Sequence, residues 1–198
     1  YNPSAARIAV TVCHKVVTMN DGVFGRLAKI GNSAAYWVLL LVIGLWCESV
    51  ALYYQYVLEL QPCVLCIQVR IWVMALIMVA LVAIWMRRNA VMNLLAHMLT
   101  VVIAIGMLER SYQLLGTERG FTFSDCGLDL GMPAWFALDS WFPAMFKVQT
   151  SCGYTPELLF GITMAEALIV SSAVLLLWSA GMVVSVLLGF QSGQDAEQ

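Results

Sequence analysis

Charge is scarce in this chain. Of its 198 residues, 11% are Asp, Glu, Lys or Arg, against about 25% in an ordinary soluble domain. The net charge of −2 and the lack of a basic stripe exclude a nucleic-acid surface. No glycine-rich phosphate loop is present, so nothing points to nucleotide chemistry. Histidine is limited to His14 and His97, far apart in sequence. There are no internal repeats and no low-complexity stretch. What fills the space is apolar, since 62% of the residues are hydrophobic.

Four apolar stretches, 34–58, 65–86, 91–115 and 158–189, reach the length of about 20 residues that spans a bilayer. The first is too long to be a signal-peptide core. The predicted fold class is an all-α membrane protein, a four-helix transmembrane bundle in one domain over 34–190. Residues 1–33 and 191–198 are read as tails, the second of them disordered, and 5–17 as a weakly amphipathic segment on the membrane surface. Spans one and two are joined by a short turn around Gln61 and Pro62, and spans two and three by an equally short turn near Arg87 and Arg88. Such turns make consecutive spans antiparallel neighbours. The remaining connection, 116–157, is long. Its stretch 132–146 carries Trp135, Phe136, Trp141, Phe142 and Phe146, an aromatic density suited to the membrane interface.

Orientation follows from the cations outside the spans. Arg7, Lys15, Arg26, Lys29, Arg87 and Arg88 fall on one side. Only Arg119 and Lys147 fall on the other, together with Glu59, Glu118, Asp125, Asp129, Asp139 and Glu157. The positive-inside rule places the first side, with both termini, in the cytoplasm.

On that topology four of the six cysteines, Cys63, Cys66, Cys126 and Cys152, lie at the outer face, where disulfides persist. Cys13 falls in the reducing cytoplasm. Cys47 falls inside span one, where a free cysteine acts as a small apolar residue. Cys63-Val64-Leu65-Cys66 opens the second span. A helix N-terminus lowers thiol pKa through its dipole and free N–H groups, and disulfide exchange needs the thiolate. Arg70 follows Cys66 by one helical turn on the same face. Two other readings of the cysteines stand beside the redox one. The four thiolates could bind zinc, or both pairs could be inert staples. A bridge within Cys-x-x-Cys closes so small a loop that it adds little stability by chain entropy, which favours redox work for Cys63 and Cys66.

The spans also hold Glu48, Arg70, Glu109, Arg110 and Glu166. Ionisable residues in a bilayer turn to the bundle interior or a functional cavity. By helical rise Arg70 lies roughly 10 Å and Arg110 roughly 8 Å inward from the cysteine-bearing ends of their spans. Structural ion pairing is the expectation for Glu48 and Glu166, and function for Arg70.

At these residues the sequence resembles the DsbB family of bacterial disulfide-forming membrane proteins, from about Ala34 onward. The resemblance rests on Pro62 to Ile67 followed by Arg70, on Cys126 and Cys152 in order and spacing, and on Glu48 and Gln55 in span one. Leu138 to Pro143 is similar to a short interfacial helix of the family's periplasmic loop, and Gly161 to Met164 to the start of its last span. The family implies an inner-membrane, quinone-dependent protein-disulfide oxidoreductase. Cys126 and Cys152 would reoxidise a periplasmic DsbA-like oxidase, and Cys126 would carry the mixed disulfide. Cys63 and Cys66 would pass the electrons to a membrane quinone, ubiquinone or menaquinone, with Cys66 facing it. Arg70 and Arg110 are the expected quinone-binding residues, and no metal is expected. Some members carry a histidine in the outer loop; 116–157 has none. A vitamin K epoxide reductase-like enzyme is the alternative of similar helical core, although its Cys-x-x-Cys commonly lies late in the chain. A zinc-binding or purely structural membrane protein is the alternative of another class.

Overall fold

The computed structural model describes residues 26–27, 29–121, 138–150 and 161–195, with side chains described as far as Leu187. Cys13, Cys126, Cys152 and the expected amphipathic segment lie outside these residues. Among them are four long helices, α1 (Ala34–Tyr56), α2 (Val64–Met86), α3 (Ala90–Arg119) and α6 (Met164–Asp195), and two single turns, α4 (Leu138–Trp141) and α5 (Pro143–Phe146). All four long helices are apolar and long enough to cross a membrane, and the chain is a four-helix transmembrane bundle. α2 packs on both α1 and α3, and α3 packs on α6.

Each long helix begins at a polar cap, which satisfies N–H groups that the helix itself leaves unpaired. Ser33 Oγ accepts from Tyr36 N–H, Asn89 Oδ1 from Val91 N–H, and Cys63 Sγ from Cys66 N–H. Thr163 and Glu166 form a capping box, in which Glu166 N–H donates to Thr163 Oγ1 and Thr163 N–H to Glu166 Oε2. Buried hydroxyls inside the spans turn back to their own helix: Thr100, Ser111, Ser172 and Ser185 donate to the carbonyl four residues earlier.

Helices approach closely where glycine faces a bulky side chain. A Cβ at Gly106 would stand 2.5 Å from the Trp72 ring, and one at Gly44 would stand 2.7 Å from Ile77 Cγ1. Such contacts draw α3 and α1 onto α2, the small-residue packing common in membranes. The outward faces stay apolar, with Trp46 and Trp85 largely exposed, as lipid-facing surfaces require.

Several boundaries differ from the sequence reading. The third helix runs past the expected end at 115 to Arg119, where Gly120 at φ 72° and bonds from Gly120 and Phe121 N–H to Gly116 O close it. Hydropathy marks the end of an apolar run, whereas the helix continues through Thr117, Glu118 and Arg119. The fourth begins at Met164 instead of 158, because Gly161 turns the chain at φ 75° and the capping box starts the helix afterwards. It also continues to Asp195 through the start of the expected tail at 191, with no proline to stop it. Glu166 is consequently a cap residue and pairs with Arg119, so the ion-pair expectation held for it, at the helix end rather than within the bundle. Within the expected interfacial segment, 138–146 forms two single turns broken at Phe142.

Candidate functional site

Cys63 and Cys66 sit where α2 leaves the turn from α1. Cys63 is the N-cap with an extended backbone and is 2% exposed; its Sγ is 3.0 Å from Cys66 Sγ. The Cys63 thiol is brought down to about 7, chiefly because the Cys66 thiol donates to it. Burial opposes this, and the backbone N–H groups of Cys66, Leu65 and Cys63 add to it. A low-pKa cysteine touching a second thiol at a helix N-terminus is the arrangement that exchanges disulfides.

The segment after α5 comes back to this turn. Gln149 N–H donates to Pro62 O at 3.1 Å, and Thr150 pairs with Cys63 in a parallel bridge. The chain from α5 to Thr150 is therefore laid directly against the Cys-x-x-Cys turn.

Beneath the thiols α1, α2 and α6 enclose a cavity of about 380 Å³, within the size range of small-ligand sites. Cys63, Cys66, Arg70, Glu48 and Gln55 contribute its polar groups, and its α6 wall is Met164, Ala167, Leu168 and Ser171. Arg70 is 7% exposed and ties three elements together. Its Nη1 donates to Gln55 Oε1 at 2.5 Å and to Met145 O at 3.3 Å, and its Nη2 to Ala51 O at 2.9 Å. Gln55 Nε2 and Tyr56 Oη both donate to Ala144 O. The guanidinium thus holds α1 against α2 and ties α5 to both. Glu48 is 6% exposed, and neither carboxylate oxygen has a hydrogen-bond partner among the described residues.

Cys63, Cys66 and Arg70 are thus brought together. Arg110 is not: it lies nine residues before the end of α3, half-buried, donates to Gln113 Oε1 at 3.1 Å, and is not part of the cavity lining. Its neighbour Glu109 faces outward. Cys47, read as a small apolar residue of span one, is exposed on α1 and borders the cavity. Sequence reasoning gave Gln55 no role and missed Thr150. The spacing of Glu48, Ala51 and Gln55 by three and four residues marks one helix face and was the available signal for Gln55. Nothing local in the sequence signals the Thr150 bridge.

A dithiol capping a transmembrane helix, above an apolar cavity holding a buried arginine, defines a membrane disulfide oxidoreductase. The sequence pattern of the family described as DsbB, disulfide bond formation protein DsbB, matches residues 33–182. The chain belongs to this family of bacterial inner-membrane proteins. Among its relatives, the disulfide bond formation protein B of Shewanella amazonensis is 32% identical over 159 residues, 79% of this chain and 94% of the relative. That of Shewanella loihica is 29% identical over 163 residues, 82% of this chain and 95% of the relative.

Proposed function

We propose that the protein reoxidises a DsbA-like dithiol oxidase in the periplasm and passes the electrons through Cys126–Cys152 and Cys63–Cys66 to a membrane quinone. The observation that carries this reading is the cavity shared by Cys66 and Arg70, which gives a thiol at a helix start an apolar pocket with a fixed positive charge. Its fit to a flat quinone head-group is supported by volume, by the apolar α6 wall and by the polar groups at one side. When bound, the quinone supplies a two-electron acceptor.

The partner's thiolate attacks Cys126, forming the mixed disulfide and releasing Cys152 as the leaving thiolate. The partner's second thiol then resolves the bond, leaving the partner oxidised and Cys126 and Cys152 reduced. Cys152 follows Thr150 by two residues, a span of about 7 Å at most, and Thr150 is bridged to Cys63. Attack of the Cys152 thiolate on Cys63 releases Cys66 toward the cavity. The Cys126 thiol displaces Cys63 to regenerate Cys126–Cys152, and Cys63 and Cys66 take up the two protons the partner dithiol has given up and hold the electron pair as thiols. Arg70 cannot lose its charge at physiological pH, and in a dry site it favours anionic sulfur or oxygen far more than it would in water.

The decisive experiment is quinone reduction by the purified protein with a reduced DsbA-like partner. The expected outcome is partner-dependent reduction, with Cys152→Ala trapping a mixed disulfide on Cys126. Attachment of the partner to another cysteine, or to none, refutes the assigned order. For sidedness, a reporter fused after Gln198 is expected to read cytoplasmic and one inserted near Arg119 periplasmic. The reverse would put the cysteines in the wrong compartment.

A further inference from the structure

The route above gives roles to Cys63, Cys66 and Arg70 but none to Glu48, the carboxyl in the same cavity lining. Its side chain is 6% exposed and lines the same cavity as Cys66 and Arg70, yet both carboxylate oxygens are without a hydrogen-bond partner among the described residues. Arg70 directs its donors to Gln55, Ala51 O and Met145 O instead. A buried carboxylate kept only for structure is expected to be matched, because an unmatched one in a bilayer is costly. Single neutral atoms are left unpartnered elsewhere among the described residues, at Tyr36 Oη, Gln68 Oε1 and His97 Nδ1. Glu48 is the one buried side chain among them with both of its polar atoms unmatched, whereas the buried Asn93 takes Trp37 Nε1–H and donates to Asn32. An unmatched carboxyl beside a thiol and a cavity is suited to gain and lose a proton.

We propose that Glu48 is the proton-carrying residue of the cavity, taking the proton that Cys66 releases and delivering one to an oxygen of the quinone-class acceptor. This rests on the function proposed above. Over one turnover Cys63 and Cys66 lose two S–H bonds and gain one S–S bond, while two electrons and two protons pass to the acceptor, giving the quinol. Glu48, protonated, gives its O–H proton to an acceptor oxygen within the cavity. Its carboxylate then takes the Cys66 thiol proton, so the residue ends as it began. The second proton enters from solvent at the Gln61 end and replaces the one Cys63 loses there.

The groups around Glu48 favour this role. From α2 come Cys66 and Arg70, with Cys63 at the cavity's outer end; from α1 come Cys47 and Tyr54. The α6 wall of Met164, Ala167, Leu168 and Ser171 offers no titratable side chain. Glu48 is therefore the cavity's only carboxyl among the described residues, and Arg70 is too basic to give up a proton.

The test uses the full-length chain in detergent with dithiothreitol as electron donor and a short-chain ubiquinone analogue as acceptor, across pH. E48Q is expected to lower kcat on the order of 10²-fold with KM little changed and to lose one limb of the pH profile. E48D, which keeps a titratable carboxyl, is expected to recover part of both. A second readout needs no quinone: infrared difference spectra from mildly acid to mildly alkaline pH are expected to show a titrating carboxyl band that E48Q lacks. Wild-type kcat and pH profile in E48Q, or spectra identical to wild type, overturns the proposal while leaving quinone reduction standing. Equal losses in E48Q and E48D with the pH profile unchanged make Glu48 structural and also overturn it. If the wild-type chain reduces no quinone, the underlying function fails and the proposal with it. Should E48Q fail to fold, E48D decides: a displaced pH limb supports the proposal and an unmoved one refutes it.

Discussion

The two ends of the bundle bury polar side chains in opposite ways. At the end nearer Arg87 and Arg88, Trp37 Nε1–H donates to Asn93 Oδ1 at 3.3 Å, Asn93 Nδ2–H donates to Asn32 Oδ1 at 2.5 Å, and His97 Nε2 meets Gly31 O at 3.3 Å. The Tyr36, Trp37 and His97 rings contact one another in edge and tilted arrangements, and a Cβ added at Gly31 would stand 3.1 Å from His97 Nε2. Only His97 Nδ1 and Tyr36 Oη lack partners there among the described residues. At the cysteine end α1, α2 and α6 part around about 380 Å³, a carboxyl goes unmatched, and a guanidinium is held by neutral acceptors from α1 and from the loop. The packed end spends its polar groups on joining α1 to α3. The open end keeps them available, so the chemistry belongs there and the rigidity belongs opposite.

Substitutions at the two ends should therefore separate activity from stability. The largest effect is expected for Arg70→Met, which should insert normally and lose about 10²- to 10³-fold in quinone reduction. Arg70→Lys should keep part of the rate, supplying charge without the planar fork. Wild-type rates for purified Arg70→Met over a range of quinone concentrations would make Arg70 purely structural. At the packed end, Asn93→Ala removes the acceptor for Trp37 and the donor to Asn32. It should cost about 1–2 kcal/mol of stability, read as a lower thermal unfolding midpoint in detergent, with KM for quinone unchanged. An altered KM with an unaltered midpoint would erase the division between the ends. The smallest effect concerns Cys63 alone. With its thiol lowered to about 7, the thiolate fraction falls as pH drops through about 7, whereas an ordinary cysteine loses its thiolate near 8.5. In the reduced protein, alkylation of Cys63 should thus reach half its plateau rate near neutrality. A midpoint at the ordinary cysteine value would remove activation by the Cys66 thiol and the helix-start N–H groups from the account.

Much of this was legible in the chain. Apolar runs of spanning length foretold the four helices, because a bilayer leaves a single apolar segment no other way to satisfy its backbone. Cys63 and Cys66 at the head of α2, with Arg70 one turn below, were legible because helical spacing is a local rule. Helix ends were less so. Arg119 and Met164 are set by a glycine turn and a capping box, and hydropathy is blind to both. Arg110 shows the limit of depth as a guide. A helix residue at a suitable depth still faces one direction only, and Arg110 turns to Gln113.

Sequence alone determined the membrane class, the cysteine pattern and the identity of the buried cation, since composition and helical period depend on neighbours along the chain. Tertiary structure decided which of the intramembrane charges share a space. Glu48 and Arg70 lie on different helices, Gln55 and Met145 O meet at the guanidinium, and Gln55 also bonds Ala144 O, 89 residues away. It also decided that Thr150 lies on the Cys63 turn, through a bridge between residues 87 positions apart, the difference between 150 and 63. Contacts of that separation come from the packing of whole helices and the loop between them, where local spacing carries no information.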